Sequence, residues 1–131
     1  MRNRRRSVLI AENNREVALG LRHHLEQAGF SVFLATDGEQ ACILAARQRF
    51  ELMITNLKLP VMSGTQFCRH VREDLHLTEV PIAVCSVVDL DGEMESLMIN
   101  YGISQVFCTP IDHQSVVEFA RETVGNIVVV A

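Results

Sequence analysis

Lysine is almost absent from this sequence. Lys58 is the one lysine among the 12 basic residues of the 131-residue chain, and the other eleven are arginines. Any chemistry that requires a lysine ammonium group must therefore use that single position.

Long apolar segments are also missing. No apolar run approaches the roughly 20 residues that are needed to cross a bilayer. The first residues are too rich in arginine for the apolar part of a secretion signal. With no export signal, we expect a cytoplasmic protein.

The cysteines and histidines lack the spacing of a metal site. The sequence has no C-x-x-C pair, and its five histidines show no ligand spacing, so we expect no structural zinc site. In the cytoplasm the cysteines are expected as thiols rather than disulfides. They are Cys42, Cys68, Cys85 and Cys108.

The size and the charge predict one acidic domain. With 48% hydrophobic and 21% charged residues, the chain can bury a core of its own. The net charge is -4, but Arg2, Arg4, Arg5 and Arg6 crowd the beginning. Without these four, 8 basic residues face 16 acidic ones, a balance of -8. Such a body is a poor surface for nucleic acid.

Short apolar runs predict five strands. None of them alternates with polar residues, which favours strands that are covered on both faces. The runs are Ser7–Ala11, Phe30–Ala35, Leu52–Thr55, Ile82–Cys85 and Val106–Cys108.

The segments between the strands show the periodicity of helices. Asn14, Asp37 and Asp112 are predicted to cap the first, second and last helices. The first helix ends at Gly29 and the second near Phe50. The third is predicted from about Thr65 to Asp74, and the fourth from Asp91 to about Tyr101 with Met94, Leu97 and Met98 on one side. This alternation predicts an α/β domain with a doubly wound parallel sheet.

The carboxyl ends of such strands meet along one edge of the sheet, where sites are usually found. The residues at those ends are Glu12, Asn13, Asn56, Ser86 and Thr109. The sequence has no G-x-G-x-x-G after the first strand, so a nucleotide site is not expected.

Four segments carry a resemblance to a known family. They are V-L-I-A-E-N-N, E-L-M-I-T-N-L-K-L-P-V-M-S-G, V-P-I-A-V-C-S and V-F-C-T-P-I, and the second contains Lys58, Pro60 and Gly64. In order and spacing they resemble the receiver domain of two-component response regulators, which are CheY-like. The resemblance implies a flavodoxin-like sheet of five strands in the order 2-1-3-4-5, with five helices.

The resemblance also implies a phosphoryl-transfer site, and this sequence departs from it. A family member carries an acceptor aspartate, an acidic pair for Mg²⁺, a Ser/Thr and a lysine. Asn56 stands at the acceptor position, Glu12 and Asn13 at the acidic pair, and Thr109 at the lysine. Ser86 alone keeps the family type. Val106 replaces the aromatic switch residue.

These departures predict a pseudo-receiver rather than an enzyme. We expect no catalytic residue, metal or other cofactor, and contacts with a kinase, an effector domain or a second copy. The expected contact face is helix four, strand five and helix five, around 94–101, Val106 and 118–122. The alternative is a small-ligand or redox sensor, with Asn13, Asn56, Ser86 and Thr109 lining a neutral crevice above Cys85 and Cys108.

The two ends of the chain lie outside the predicted domain. We place a basic tail at 1–6, the receiver-like domain at 7–125 and an apolar tail at 126–131. The basic run is expected to be solvated and frayed. The apolar run Ile127–Val130 is left open as an edge strand, a dimer contact or the place where a longer chain was cut.

Overall fold

The computed structural model describes residues 2–4, 6–86, 93–124 and 128–130. In this part of the chain, five parallel strands form one sheet with α-helices on both faces. The strands are β1 (Ser7–Ala11), β2 (Ser31–Ala35), β3 (Leu52–Asn56), β4 (Ile82–Ser86) and β5 (Gln105–Cys108). The helices are α1 (Arg15–Gln27), α2 (Gly38–Arg47), α3 (Gly64–Arg69), α4 (Glu93–Tyr101) and α5 (His113–Val124).

The strand order is β2-β1-β3-β4-β5, so the predicted order 2-1-3-4-5 is confirmed. Val8 pairs with both Val32 and Leu52, which fixes β1 between β2 and β3. The order reverses beside β1, and the crevice at this switch point lies between the loops that follow β1 and β3.

Alternate residues of each strand enter two different cores. Leu9 and Met53 face α2, α3 and α4, whereas Val8 and Ile54 face α1 and α5. Because both faces of the sheet are covered, the strands have no solvent-facing side and are apolar along their length.

The predicted caps of α1 and α2 are confirmed. The side chain of Asn14 accepts a hydrogen bond from the Val17 N–H, and that of Asp37 from the Gln40 N–H. Asp112 accepts from the Gln114 N–H at the start of α5, as predicted. None of the helices in the described residues is long and apolar enough to cross a membrane.

The predicted bounds of the third helix are confirmed to within one residue, but its last turn, His70–Asp74, is π-helical rather than α-helical. One prediction for α4 needs correction. In α4, Met94 and Leu97 are buried but Met98 is 44% exposed, because the buried stripe is too narrow to include it. The predicted start of this helix at Asp91 lies outside the described residues.

Segments of the two predicted tails pair with each other. Arg2–Arg4 and Val128–Val130 form a two-stranded antiparallel sheet, with Asn3 opposite Val129. The expected frayed terminus is therefore wrong for Arg2–Arg4, because backbone hydrogen bonds with the other end of the chain order this segment. Val128–Val130 is a strand, but in this small sheet and not at an edge of the main one.

Candidate functional site

The residues predicted from the strand ends lie along the carboxyl edge of the sheet. Asn56 and Ser86 are the last residues of β3 and β4, and Glu12 directly follows β1. The Glu12 N–H donates to the Ala35 carbonyl oxygen at 3.0 Å, so the backbone of Glu12 continues the β1–β2 ladder. The Thr109 N–H donates to the Ser86 carbonyl oxygen at 2.9 Å, which holds Thr109 beside β4.

Glu12 is the centre of this site because it is a buried carboxylate, only 5% exposed. The Asn56 side-chain Nδ2 lies 3.1 Å from Oε1 and 3.3 Å from Oε2 of Glu12. The backbone N–H of Asn14 donates to Oε2 at 2.9 Å. A buried charge is costly unless hydrogen bonds satisfy it. Here two N–H donors of the protein itself do so.

The amide of Asn56 is held at both ends. Its Oδ1 accepts a hydrogen bond from the Lys58 backbone N–H at 3.1 Å, while Nδ2 donates to Glu12. An amide oxygen cannot donate, so the Lys58 contact fixes which end faces Glu12. Lys58 contributes its backbone N–H, and its side chain is exposed.

The loop after β3 makes a close approach that requires glycine. A Cβ at Gly64 would lie 2.0 Å from the Asn56 carbonyl oxygen. Pro60 accepts from the Met62 N–H at 2.7 Å across Val61, whose φ is 68°. Gly64 and the tight turn after Pro60 therefore keep the loop against the end of β3.

Two contributors to the site were missed in the sequence. The sequence predicts Asn14 only as a helix cap, a role of its side chain, but its backbone N–H also donates to Glu12. A Cβ at Gly38 would lie 1.9 Å from the Met62 carbonyl oxygen, so this glycine lets α2 approach the loop after β3. The sequence does offer a signal for Gly38. A side chain is usually tolerated in the first turn of a helix, so a glycine at this position indicates a close contact.

The remaining predicted residues are placed differently. Ser86 is 6% exposed, whereas Thr109 is half-buried and precedes Pro110 in a cis peptide bond. Asn13 is exposed, and within the described part of the chain it makes no hydrogen bond to Glu12 or Asn56. Val106 is half-buried and packs against the core on the α2–α3–α4 side.

The register of the strands excludes the cysteine pair of the alternative prediction, a redox sensor. Cys85 pairs in register with Phe107, and Cys108 pairs with Ser86, so Cys85 and Cys108 face opposite sides of the sheet. Burial, with a smaller contribution from the charge of Glu12, raises the pKa of Cys85 to about 12. A thiol with so little thiolate reacts slowly. Because the two side chains lie on opposite faces of the sheet, their Cβ atoms cannot approach closely enough for a disulfide.

Comparison with known proteins decides the family. The family model of the response regulator receiver domain matches residues 8–121. This chain belongs to the response regulator receiver family. Receivers of this kind interact with kinases and effectors in two-component signalling.

Individual relatives agree with this assignment. The receiver is 37% identical to the sensor histidine kinase TmoS of Ectopseudomonas mendocina over 92% of the chain and 12% of that protein. It is 23% identical to the polar-differentiation response regulator DivK of Brucella anthropi, over 92% of the chain and 98% of DivK. The chain spans only 7 to 28% of the length of four curated relatives that it matches.

A solved relative allows a comparison of the site. The receiver domain of the sensor histidine kinase PA1611 from Pseudomonas aeruginosa is 25% identical, with a TM-score of 0.80. The match covers 94% of this chain and 100% of that domain, which has a magnesium ion coordinated in its active-site cleft.

The residues of this receiver do not fit Mg²⁺. This ion requires an octahedral shell of oxygens that usually includes carboxylates. Among the residues that the structure describes at this edge, Glu12 supplies the one carboxylate, and the end of Asn56 that faces it is an N–H₂ donor. No cluster of three His, Cys, Asp or Glu residues that could hold a metal occurs in the part of the chain that the structure describes.

Proposed function

We propose that this receiver is a pseudo-receiver, a signalling module that works through protein–protein contacts without phosphotransfer. The observation that supports it best is the contact between Glu12 and Asn56. An amide nitrogen occupies the position from which a carboxylate would attack a phosphoryl donor, and it donates to the buried carboxylate of Glu12. An amide is a neutral, weak nucleophile and cannot form the acyl phosphate of the family.

The neighbouring positions support the same proposal. Phosphoryl transfer needs cations that neutralise the charge spreading over the transferred group. Thr109 is uncharged, and Lys58 lies in another loop with its side chain exposed. Ser86 keeps its family type, but it provides neither the carboxylate that forms an acyl phosphate nor a positive charge.

We further propose that the contact face consists of α4, β5 and α5. Ile99 is 74% exposed and Met98 44% exposed on α4. Glu118 and Glu122 are exposed on α5. Exposed apolar and acidic side chains on these two helices support a role in protein binding. Its partner is a kinase, an effector domain or a second copy, in the cytoplasm.

The test of lost phosphotransfer is incubation with acetyl phosphate and Mg²⁺, followed by intact-mass measurement. We expect no phosphoryl addition to the wild-type protein. A phosphorylatable receiver of the same family, treated in parallel, shows that the donor and the metal are active. A stable phosphoryl adduct on the wild-type chain would refute the proposal.

The variant Asn56→Asp extends this test. We expect it to remain unphosphorylated, because Asn13 and Thr109 still fail to hold metal and product. Mg²⁺-dependent addition of one phosphoryl group to Asn56→Asp would show that the acceptor alone had been lost.

A contact-face variant tests the second part of the proposal. Ile99→Glu places a charge at the centre of the face, and Ile43→Glu is the matched control on α2, where Ile43 is 43% exposed. Binding to a cognate kinase or effector, or self-association in sedimentation velocity, should weaken for Ile99→Glu only. Equal effects of the two substitutions would contradict the assignment of the face.

A further inference from the structure

A cavity lies at the opposite end of the sheet from the degenerate site. It has a volume of about 700 Å³ and is lined by residues 45–51, residues 76–81 and Val124. These segments precede β3 and β4 and end α5, so the cavity is at the amino ends of the strands. Cavities of roughly 300–1,000 Å³ are the usual size of small-molecule sites.

Part of the cavity wall is apolar. Ala45 and Phe50 are buried, and Val80 is half-buried. Leu77 is 37% exposed. Removing the exposed part of an apolar side chain from water is favourable. An apolar body of a ligand would cover the exposed part of this side chain.

The rim of the cavity carries two arginines that have no partner among the described residues. Arg47 and Arg49 are exposed, and within the described residues neither makes a hydrogen bond or an ion pair. Of the two carboxylates at the rim, Glu51 already accepts a hydrogen bond from the Ser7 N–H at 2.6 Å. Glu79 is the other. A guanidinium group binds carboxylates in a two-pronged geometry, so two free arginines favour an organic anion.

Arg72 joins this cavity to α4. From the π-helical turn, its Nη1 donates to the carbonyl oxygens of Leu77 at 2.8 Å and Val80 at 2.7 Å, both in the cavity wall. Its Nε donates to the Tyr101 carbonyl oxygen at 2.7 Å, at the end of α4. The same guanidinium also lies 3.3 Å from the Gly102 carbonyl oxygen.

We propose that the cavity binds a small carboxylate with an apolar body, and that Arg72 carries its occupancy to α4. A ligand that shifts the 76–81 segment must either move the guanidinium or break short hydrogen bonds to carbonyl groups, which is costly. Movement of the guanidinium acts directly on the end of α4. Binding stands independently of the proposed function, whereas its effect on a partner rests on the proposed contact face.

The first experiment is an NMR titration of the ¹⁵N-labelled chain with benzoate and hexanoate, and with benzamide as the neutral match of benzoate. We expect saturable shifts of amides in 45–51 and 76–81 with a carboxylate, and clearly weaker binding of benzamide. No saturable shift in these segments with either carboxylate at millimolar concentrations would overturn the site.

Variants of the rim test the recognition of the anion. Arg47→Gln combined with Arg49→Gln should weaken benzoate binding about tenfold, because charge-assisted hydrogen bonds are lost. Arg69→Gln is the matched control, since Arg69 is an exposed arginine on α3 that pairs with Glu73. Unchanged affinity of the double variant would refute recognition by the two arginines.

A variant of Arg72 tests the connection to α4. In the wild-type protein, benzoate should also shift the amides of Tyr101 and Gly102. Arg72→Gln also loses the bonds to the cavity wall, so its benzoate affinity is measured first and the spectra are compared at saturation of the cavity. At saturation the shifts at Tyr101 and Gly102 should disappear, and Arg72→Lys provides a second variant if the first fails to fold. Shifts at the end of α4 that survive the loss of Arg72, or that are absent from the wild type, would refute the connection. Neither result depends on phosphorylation.

Discussion

The substitution Asn56→Asp is the sharpest perturbation of the site. It replaces the amide nitrogen that lies 3.1 and 3.3 Å from the Glu12 oxygens by a carboxylate oxygen, with almost no change in shape. The backbone N–H of Asn14 would remain as a donor to Glu12. Any change in stability therefore reports the electrostatics of this one contact.

The expected cost has two parts. Losing a hydrogen bond to a charged group costs about 1.5–3 kcal/mol. Two unit charges about 4 Å apart near a protein surface repel by about 4 kcal/mol, but Asn56 is half-buried, so solvent screening and rotation of the new side chain reduce this. We expect a total loss of about 2–4 kcal/mol at neutral pH, a large fraction of the roughly 5–15 kcal/mol that stabilises a domain.

The assay is urea unfolding of the wild type and Asn56→Asp, with a chelator present to exclude divalent cations. Asn13→Asp is the matched control: it adds the same charge next to Glu12 at an exposed position, so its cost should stay below about 1 kcal/mol. A stability of Asn56→Asp within about 0.5 kcal/mol of the wild type at pH 7 would refute the claim that the amide satisfies Glu12.

Three further predictions concern the rest of the fold. Arg72→Gln should cost about 2–4 kcal/mol in urea unfolding because several short hydrogen bonds to carbonyl groups are lost, while Arg69→Gln should cost less than about 1 kcal/mol. Equal costs would contradict the structural role of Arg72. Iodoacetamide at pH 7 should modify exposed Cys108 and spare Cys85, whose pKa burial raises to about 12; modification of both at similar rates, measured by peptide mass spectrometry, would contradict the predicted protection. Gly64→Ala should lower the midpoint of thermal unfolding by several degrees or prevent folding, since its Cβ would lie 2.0 Å from a backbone oxygen, and an unchanged midpoint would show that the loop can move away.

Much of the fold could be predicted from the sequence because the determining signals are local. The apolar run Ser7–Ala11 is a strand with the predicted bounds, and Asn14 and Asp37 cap helices as predicted. Met98 was placed wrongly because helical periodicity gives the direction of a buried face but not its width. The pairing of Arg2–Arg4 with Val128–Val130 joins the two ends of the chain, and no local pattern indicates such a partner.

The sequence predicts which residues form the candidate site, but not which of them contact one another. The topology of a parallel sheet is enough to place Glu12 and Asn56 at one edge. The hydrogen bond between them depends on side-chain rotamers and on the Lys58 N–H that orients the amide. The sequence leaves a thiol pair open, because residue spacing alone does not give the register that places Cys85 and Cys108 on opposite faces.

The central claim is that the amide of Asn56, rather than a metal ion, satisfies Glu12. The most direct measurement is a Mg²⁺ titration of the ¹⁵N-labelled wild-type protein, followed through the side-chain amide signals of Asn56 and the backbone amide of Asn14. We predict that these signals keep their positions up to millimolar Mg²⁺, apart from small linear drifts due to ionic strength. A saturable shift of both would show that the ion displaces the amide from Glu12 and would contradict the claim.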